Sequence, residues 1–195
     1  MQQIHFPQSQ KEYHRARYRL AFDEMLLPQI AALKQKKQWQ NTRQAHPLKF
    51  SSQKIKIFIK NLPFRLTEAQ QKAWQDIAED LNKIQPMNRL LCGDVGSGKT
   101  IIAAISAYAC FLSNQKTILM APTEMLAQQH YQTLKKLFGK KLQIGLQTSR
   151  QKKNHQRADI LVGTHSLLYQ KKIIAQSNLI IIDEQHRFGV GQRAR

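Results

Sequence analysis

The stretch LLCGDVGSGKT (residues 90–100) decides how this chain of 195 residues folds. Within it, residues Gly93–Thr100 match the pattern G-x-x-x-x-G-K-[ST] at every fixed position. This pattern is typical of a loop that holds nucleotide phosphates, because glycines let the backbone turn tightly and aim its N–H groups inward. The apolar run before the loop predicts a strand. The run after it predicts a helix, whose positive N-terminal end also favours a phosphate.

The chemistry of the loop predicts ATP and Mg²⁺ as cofactors. Lys99 is placed to reach the β- and γ-phosphates, and the Thr100 hydroxyl to ligate the metal. The residues expected to contact the nucleotide here are Gly93, Asp94, Val95, Gly96, Ser97, Gly98, Lys99 and Thr100.

Apolar runs alternate with amphipathic runs along the rest of this region. We predict helices over 67–84, 99–112 and 123–138, and strands over 89–93, 116–122, 142–148, 158–165 and 178–184. Strands of continuous apolar character that alternate with helices indicate a parallel sheet covered on both faces. The fold class is therefore α/β.

The N-terminal region has a different pattern. Residues 9 to about 39 predict a helix that starts at a capping box of Ser9 and Glu12, and Pro28 is expected to kink or divide it. The segment NTRQAHPLKFSSQ (41–53) predicts a linker. We therefore expect a helical connector over 1–60 and a nucleotide-binding domain over 61–195 that is incomplete at its C-terminus.

The charge favours a polyanionic partner. The chain has 31 Lys and Arg against 12 Asp and Glu, a formal net charge of +19. This excess favours nucleic acid, although an anionic membrane surface would also attract it and part of it is solvated surface. Two cysteines are too few for a zinc cluster or a disulfide framework, and no run predicts a membrane span or a signal peptide. We expect a cytoplasmic, nucleoid-associated protein with no membrane partner.

An acidic pair completes the nucleotide site. The apolar run LIII delivers Asp183 and Glu184 to the carboxyl end of a strand, where open α/β sheets place ligands. Asp183 is expected to hold Mg²⁺ through water, and Glu184 to orient and activate the attacking water. Lys99 and Glu184 are thus the catalytic candidates, and Thr100 and Asp183 the metal candidates.

From DEQH (183–186) onward the sequence resembles superfamily 2 helicases and translocases, whose motif II it matches. LPFRLTEAQ (62–70) is similar to their adenine-recognition segment, APTEMLAQQH (121–130) to motif Ia and VGTHSLL (162–168) to motif Ib. PMNRLLCGDVGSGKT (86–100) and DEQHRFGVGQR (183–193) together resemble the RecG family of bacterial branch-migration helicases. The related transcription-repair coupling translocases are the alternative, but Ser97, Gln185 and Gln192-Arg193 favour RecG. The resemblance covers the whole chain and implies a RecA-like domain.

The resemblance assigns further roles. Gln70 would pair with adenine, although Thr67 and Gln70 also form a capping box, and Phe64 would stack on the base or staple the helix start. Thr123 and the loop Gly163, Thr164 and His165 would contact DNA phosphates, with plain capping as the alternative. The residues that would link the nucleotide site to the DNA side are His186, Arg187, Gln192 and Arg193.

The resemblance also marks what the chain lacks. In the family, a wedge domain precedes this region and a second motor domain follows it, with an arginine that reaches the γ-phosphate. The span between motifs Ia and Ib is shorter than usual. We expect the first motor domain of a RecG-like DNA helicase acting on forks and Holliday junctions, monomeric and with little activity alone. A stand-alone ATPase that does not act on DNA and a non-catalytic nucleic-acid-binding remnant are the alternatives.

Overall fold

A computed structural model describes residues 2–42, 45–154 and 156–184. Contacts between Cα atoms divide the chain into two compact units, Met1–Gln44 and Ala45–Arg195. In the described part of the first unit the regular elements are helices, and the second unit contains the β-sheet.

The first unit consists of helix α1 (Gln2–His5) and the long helix α2 (Gln10–Thr42). The hydroxyl of Ser9 caps α2 by accepting from the Glu12 N–H at 3.3 Å, but the Glu12 carboxylate accepts from the Gln8 N–H rather than completing the box. Helix α2 continues through Pro28, so the proline does not divide it, and a kink at this position stays a prediction. Within the described part of the chain, no helix is long and apolar enough to cross a bilayer.

The second unit is built on a sheet of five strands, β1 (Thr117–Met120), β2 (Ile144–Gln147), β3 (Lys152–Lys153), β4 (Ile160–Gly163) and β5 (Leu179–Ile182). Their order is β3-β2-β4-β1-β5, and every pair is parallel except β2 with the short edge strand β3. The α/β fold class is confirmed. The antiparallel β3 lies in the span that the sequence marks as shortened.

Helices pack around this sheet. They are α3 (Ser52–Lys60), α4 (Glu68–Leu81), α5 (Lys99–Leu112), α6 (Glu124–Phe138) and α7 (Lys171–Ala175), with a 3₁₀ helix at His165–Tyr169. The apolar runs of α5 and α6 supply much of the core, in which Ile105 and Leu134 are fully buried. This core fixes the carboxyl ends of β1, β4 and β5, where the candidate site lies.

Helix α3 was not predicted as an element. Ser51 caps it, Ile55 is buried, and the Phe58 ring stacks on Phe138 at 5.4 Å between centroids. These contacts draw α3 into the second unit, so the units divide at 44/45 whereas the sequence suggested a boundary at residue 60.

The predicted strand at 89–93 does not form. Residues 86–94 have no regular structure, and the Leu90 side chain is 71% exposed. The polar groups of this segment bond to side chains instead of to a neighbouring strand. The Lys99 ammonium donates to two of its carbonyl groups, and the Arg89 guanidinium lies 2.6 Å from the Asp80 carboxylate. The four other predicted strands are present as β1, β2, β4 and β5.

Candidate nucleotide and metal site

The phosphate loop leads directly into helix α5. Gly96 and Gly98 adopt φ angles of +83° and +81°, in the left-handed region that favours glycine. Gly98 is the N-cap of α5, and no side chain caps that helix end. The Ile101 N–H of the first turn donates to the Gly98 carbonyl at 3.0 Å, and a helix start that no side chain caps suits an anion.

Lys99 closes the loop on itself. Its ammonium donates to the carbonyl oxygens of Gly93 at 2.7 Å and Asp94 at 2.8 Å. A phosphate placed in the loop would offer stronger, charged acceptors to the same donor. Val95, at the tip, is 99% exposed, so the loop is open to solvent.

Gln70 serves both the helix and the loop. Its Oε1 accepts from the Thr67 N–H at 2.9 Å, and the Thr67 hydroxyl accepts from the Gln70 N–H at 3.2 Å, so the capping box is present. Its Nε2 also donates to the Ser97 carbonyl of the loop at 2.8 Å. Adenine recognition by Gln70 remains a prediction, and it would require this amide to exchange a partner.

Phe64 lies apart from the loop. It is half exposed and lines an open cavity of about 950 Å³ between α3 and α4, together with Ile59 and Trp74. Gln71, rather than Gln70, lines this cavity, and the phosphate loop does not contribute to it. The structure therefore places the two expected adenine contacts in different surroundings.

Asp183 follows β5 at the carboxyl edge of the sheet. Its N–H donates to the Met120 carbonyl of β1 at 2.8 Å, and its Oδ2 lies 2.8 Å from Nε2 of His130. The hydrogen bond from His130 lowers the pKa of the Asp183 carboxyl against the opposing effect of burial, and the charge of Lys99 lowers it further. Glu184 has a φ of +51°, so the chain turns sharply after the strand.

The side-chain oxygens of Asp183 and Thr100 are of the kind that binds a magnesium ion held with a nucleotide. Asp183 offers a carboxylate and Thr100 a hydroxyl, and Mg²⁺ binds through one or two carboxylates plus substrate phosphates. Among the residues that the structure describes, no group of three or more His, Cys, Asp or Glu side chains could hold a metal by itself. A metal here would therefore depend on bound phosphates.

Sequence reasoning missed His130. It lies on α6, and its side chain is 12% exposed. The available signal was its position on the face of α6 that packs inward, three residues after buried Ala127 and four before buried Leu134. A polar ring on that face requires a partner, and Asp183 provides it.

The candidate DNA-contacting residues divide into exposed and buried ones. Thr123 caps α6 by accepting from the Leu126 N–H at 3.2 Å, and His165 is exposed.

Thr164 is buried, with its hydroxyl 3.0 Å from that of Ser166. Gly163 is needed for packing, because a Cβ there would clash with the Gln147 carbonyl. His186, Arg187, Gln192 and Arg193 lie outside the described residues.

Comparison with known proteins identifies relatives. The family model described as DEAD/DEAH box helicase matches residues 67–195. The ATP-dependent DNA helicase RecG of Synechocystis sp. is 39% identical over 204 residues, which covers 99% of this chain and 24% of that protein. RecG of Streptococcus pneumoniae is 40% identical over 200 residues, covering 97% of this chain and 30% of the relative.

A solved structure, RecG bound to a three-way DNA junction, matches with a TM-score of 0.82 and 35% identity. The match covers 96% of this chain and 27% of that one. This chain thus spans less than a third of the length of each of these relatives.

Proposed function

This chain belongs to the DEAD/DEAH box helicase family, and on that premise we propose that it is the first, ATP-binding motor domain of a RecG-type DNA helicase. One observation carries the proposal. The phosphate loop leads into the start of α5, which no side chain caps, α5 contacts β5, and the Asp183 carboxylate follows β5. A nucleotide phosphate suits the helix start, and a divalent cation bound with it suits the carboxylate.

Each residue has a distinct role in the proposed site. Lys99 leaves the carbonyl groups of Gly93 and Asp94 and donates to the β- and γ-phosphates. Thr100 and Asp183 hold Mg²⁺, which when bound neutralises charge on the phosphates. Glu184 orients and activates the attacking water.

The proposed polymer substrate is branched double-stranded DNA. The net charge of +19 favours a polyanion, and ten Lys and Arg against one acidic residue lie between Lys135 and Lys172. Thr123 and His165 are the exposed candidates for phosphate contacts. The likeness to RecG bound to a three-way junction supports a branched substrate, with forks and Holliday junctions remodelled during recombination and repair. A cytoplasmic, nucleoid-associated location follows from this substrate.

We propose that unwinding requires regions that correspond to the parts of the RecG relatives outside the match. The chain matches only 24% and 30% of their length. An arginine supplied by a second motor domain would contribute on the order of 10³–10⁵ in rate. We expect the 195 residues alone, as a monomer, to bind Mg·ATP and DNA but to unwind little.

The test measures binding of a fluorescent ATP analogue with Mg²⁺ to the wild-type chain and to Lys99→Ala. Loss of charge-assisted hydrogen bonds of about 1.5–3 kcal/mol predicts roughly 10- to 100-fold weaker binding. Lys72→Ala, at an exposed position on α4, is the matched control and leaves the affinity unchanged.

Two results would contradict this proposal. Salt-sensitive DNA binding with no nucleotide binding by wild type would support the non-catalytic remnant instead. Robust unwinding by the 195 residues alone would refute the requirement for further domains.

A further inference from the structure

We propose that His130 is a positioning residue that orients the Asp183 carboxylate for the metal. The inference rests on the proposed function, because the metal role of Asp183 is itself proposed there. It adds a residue on α6 to a site that otherwise consists of the phosphate loop and the end of β5. The contact is direct, with Nε2 of His130 2.8 Å from Oδ2 of Asp183.

The backbone of Asp183 is already fixed, whereas its side chain needs a partner. The hydrogen bond from its N–H to Met120 ties the residue to β1, and the left-handed turn at Glu184 ends the strand. Neither constraint sets the rotation of the carboxylate about its own side-chain bonds. The hydrogen bond from His130 restricts that rotation.

The direction of the hydrogen bond follows from charge. An ionised carboxylate has no proton to donate, so Nε2 of His130 is the donor and Oδ2 the acceptor. A carboxylate has about four lone-pair directions, and one N–H uses only one of them. The group keeps the capacity to accept from a metal-bound water while it is held in place.

The imidazole is presented from a rigid support. Ala127 and Leu134, on the same face of α6, are both fully buried, and Tyr131 is nearly so. With its own side chain only 12% exposed, His130 has little room to move away from the carboxylate. Partners that orient metal-site groups in this way typically change metal affinity by 10- to 100-fold when they are removed.

The alternative is that His130 only ties α6 to the residue that follows β5. The two roles differ in what they affect. A packing role changes thermal stability and nucleotide binding in general. A positioning role changes the affinity for the metal and leaves metal-free nucleotide binding intact.

The experiment uses the whole chain and Mn²⁺ as the probe, with binding to the ATP-loaded protein followed by electron paramagnetic resonance. His130→Gln keeps an amide N–H at about the reach of Nε2, whereas the shorter His130→Asn does not. We expect His130→Asn to weaken Mn²⁺ binding by roughly 10- to 100-fold and His130→Gln to stay within about threefold of wild type. Gln129→Ala, at the exposed neighbouring position, is the control and has no effect.

Each other outcome overturns the inference. Equal Mn²⁺ affinity in wild type and His130→Asn overturns the role of His130 but leaves the proposed function standing. An equal loss of Mn²⁺ affinity in His130→Asn and His130→Gln has the same meaning. A His130→Asn loss matched by weaker nucleotide binding in EDTA assigns a packing role instead. Failure of wild type to bind Mn²⁺ with ATP refutes the proposed function itself.

Discussion

Helices α5 and α6 both begin beside the candidate site, but their first turns are built differently. Helix α5 starts at Gly98, whose φ is +81°, and no side chain caps it. Helix α6 starts at Thr123 in an extended conformation, and the Thr123 hydroxyl accepts from the Leu126 N–H. In α6 a side-chain hydroxyl satisfies a first-turn donor, whereas in α5 no side chain does so and the Ile101 N–H bonds to the Gly98 carbonyl.

This difference separates two kinds of interaction with phosphate. An uncapped first turn with glycines on its approach can surround an anion with backbone N–H groups. A threonine-capped turn has already used its hydroxyl as an acceptor, so a DNA phosphate can take only the hydroxyl proton or the remaining N–H groups. We infer that α5 is suited to enclosing a nucleotide and α6 to a shallower contact.

The largest expected effect comes from adding a side chain at the start of α5. In Gly98→Ala the new Cβ would lie 2.5 Å from Nε2 of Gln70, so the amide must leave the Ser97 carbonyl. The left-handed conformation adds a strain of about 1–2 kcal/mol. We expect weaker binding of the fluorescent ATP analogue and a melting temperature lowered by roughly 2–8 °C, measured by circular dichroism.

Gly96→Ala is the matched control. Its φ of +83° imposes the same kind of strain, but nothing lies within 4 Å of the added Cβ. We therefore expect a similar fall in melting temperature with a smaller loss of nucleotide affinity. Equal nucleotide affinities in the two variants would show that the contact between Gln70 and the loop does not matter for binding.

A smaller effect is expected at the start of α6. Thr123→Ala removes the cap and lowers the free energy of unfolding by about 1 kcal/mol, measured by urea denaturation. Thr123→Ser keeps the hydroxyl and most of that stability. Binding of the ATP analogue is unaffected in both variants. If Thr123→Ala leaves stability unchanged, the hydroxyl is not a working cap, and the proposed difference between α5 and α6 is lost.

The sequence predicted what local pattern and backbone chemistry determine. Short stretches of sequence were enough to predict the glycines of the phosphate loop, the capping box of Thr67 and Gln70, and four of the five predicted strands. Two features depend on partners distant along the chain. Residues 89–93 have the apolar composition of a buried strand. Their conformation, however, depends on bonds to Lys99 and to the carboxylates of α4.

The contact between His130 and Asp183 was hidden for the same reason. The two residues are 53 positions apart and meet only when α6 packs against β2 and β4 and β5 pairs with β1. Helix α3 was likewise missed, because no element was predicted between the end of the linker at residue 53 and residue 60, and its stacking on Phe138 needs the folded core.

The smallest predicted effect concerns the segment that leads into α5. The guanidinium of Arg89 lies 2.6 Å from the Asp80 carboxylate of α4, and Lys83 contacts the same group at 2.8 Å. Burial tends to raise the pKa of Asp80, but the hydrogen bonds from Lys83 and Arg89 outweigh it and hold the pKa below its ordinary value. A depressed carboxyl pKa contributes stability that is present above the unfolded-state pKa and lost as the pH falls through the folded-state value.

Arg89→Ala is therefore expected to raise the pKa of Asp80 and to cost less than about 1 kcal/mol of stability at neutral pH. The difference from wild type shrinks as the pH falls below about 4, where the unfolded-state carboxyl is protonated. Carboxyl NMR titration measures the pKa, and melting temperatures across the pH range measure the stability difference. Arg65→Ala, at an exposed position before α4, is the control. A stability difference for Arg89→Ala that persists undiminished at pH values well below the folded-state pKa would show that Arg89 anchors the loop by packing of its side chain rather than by its charge.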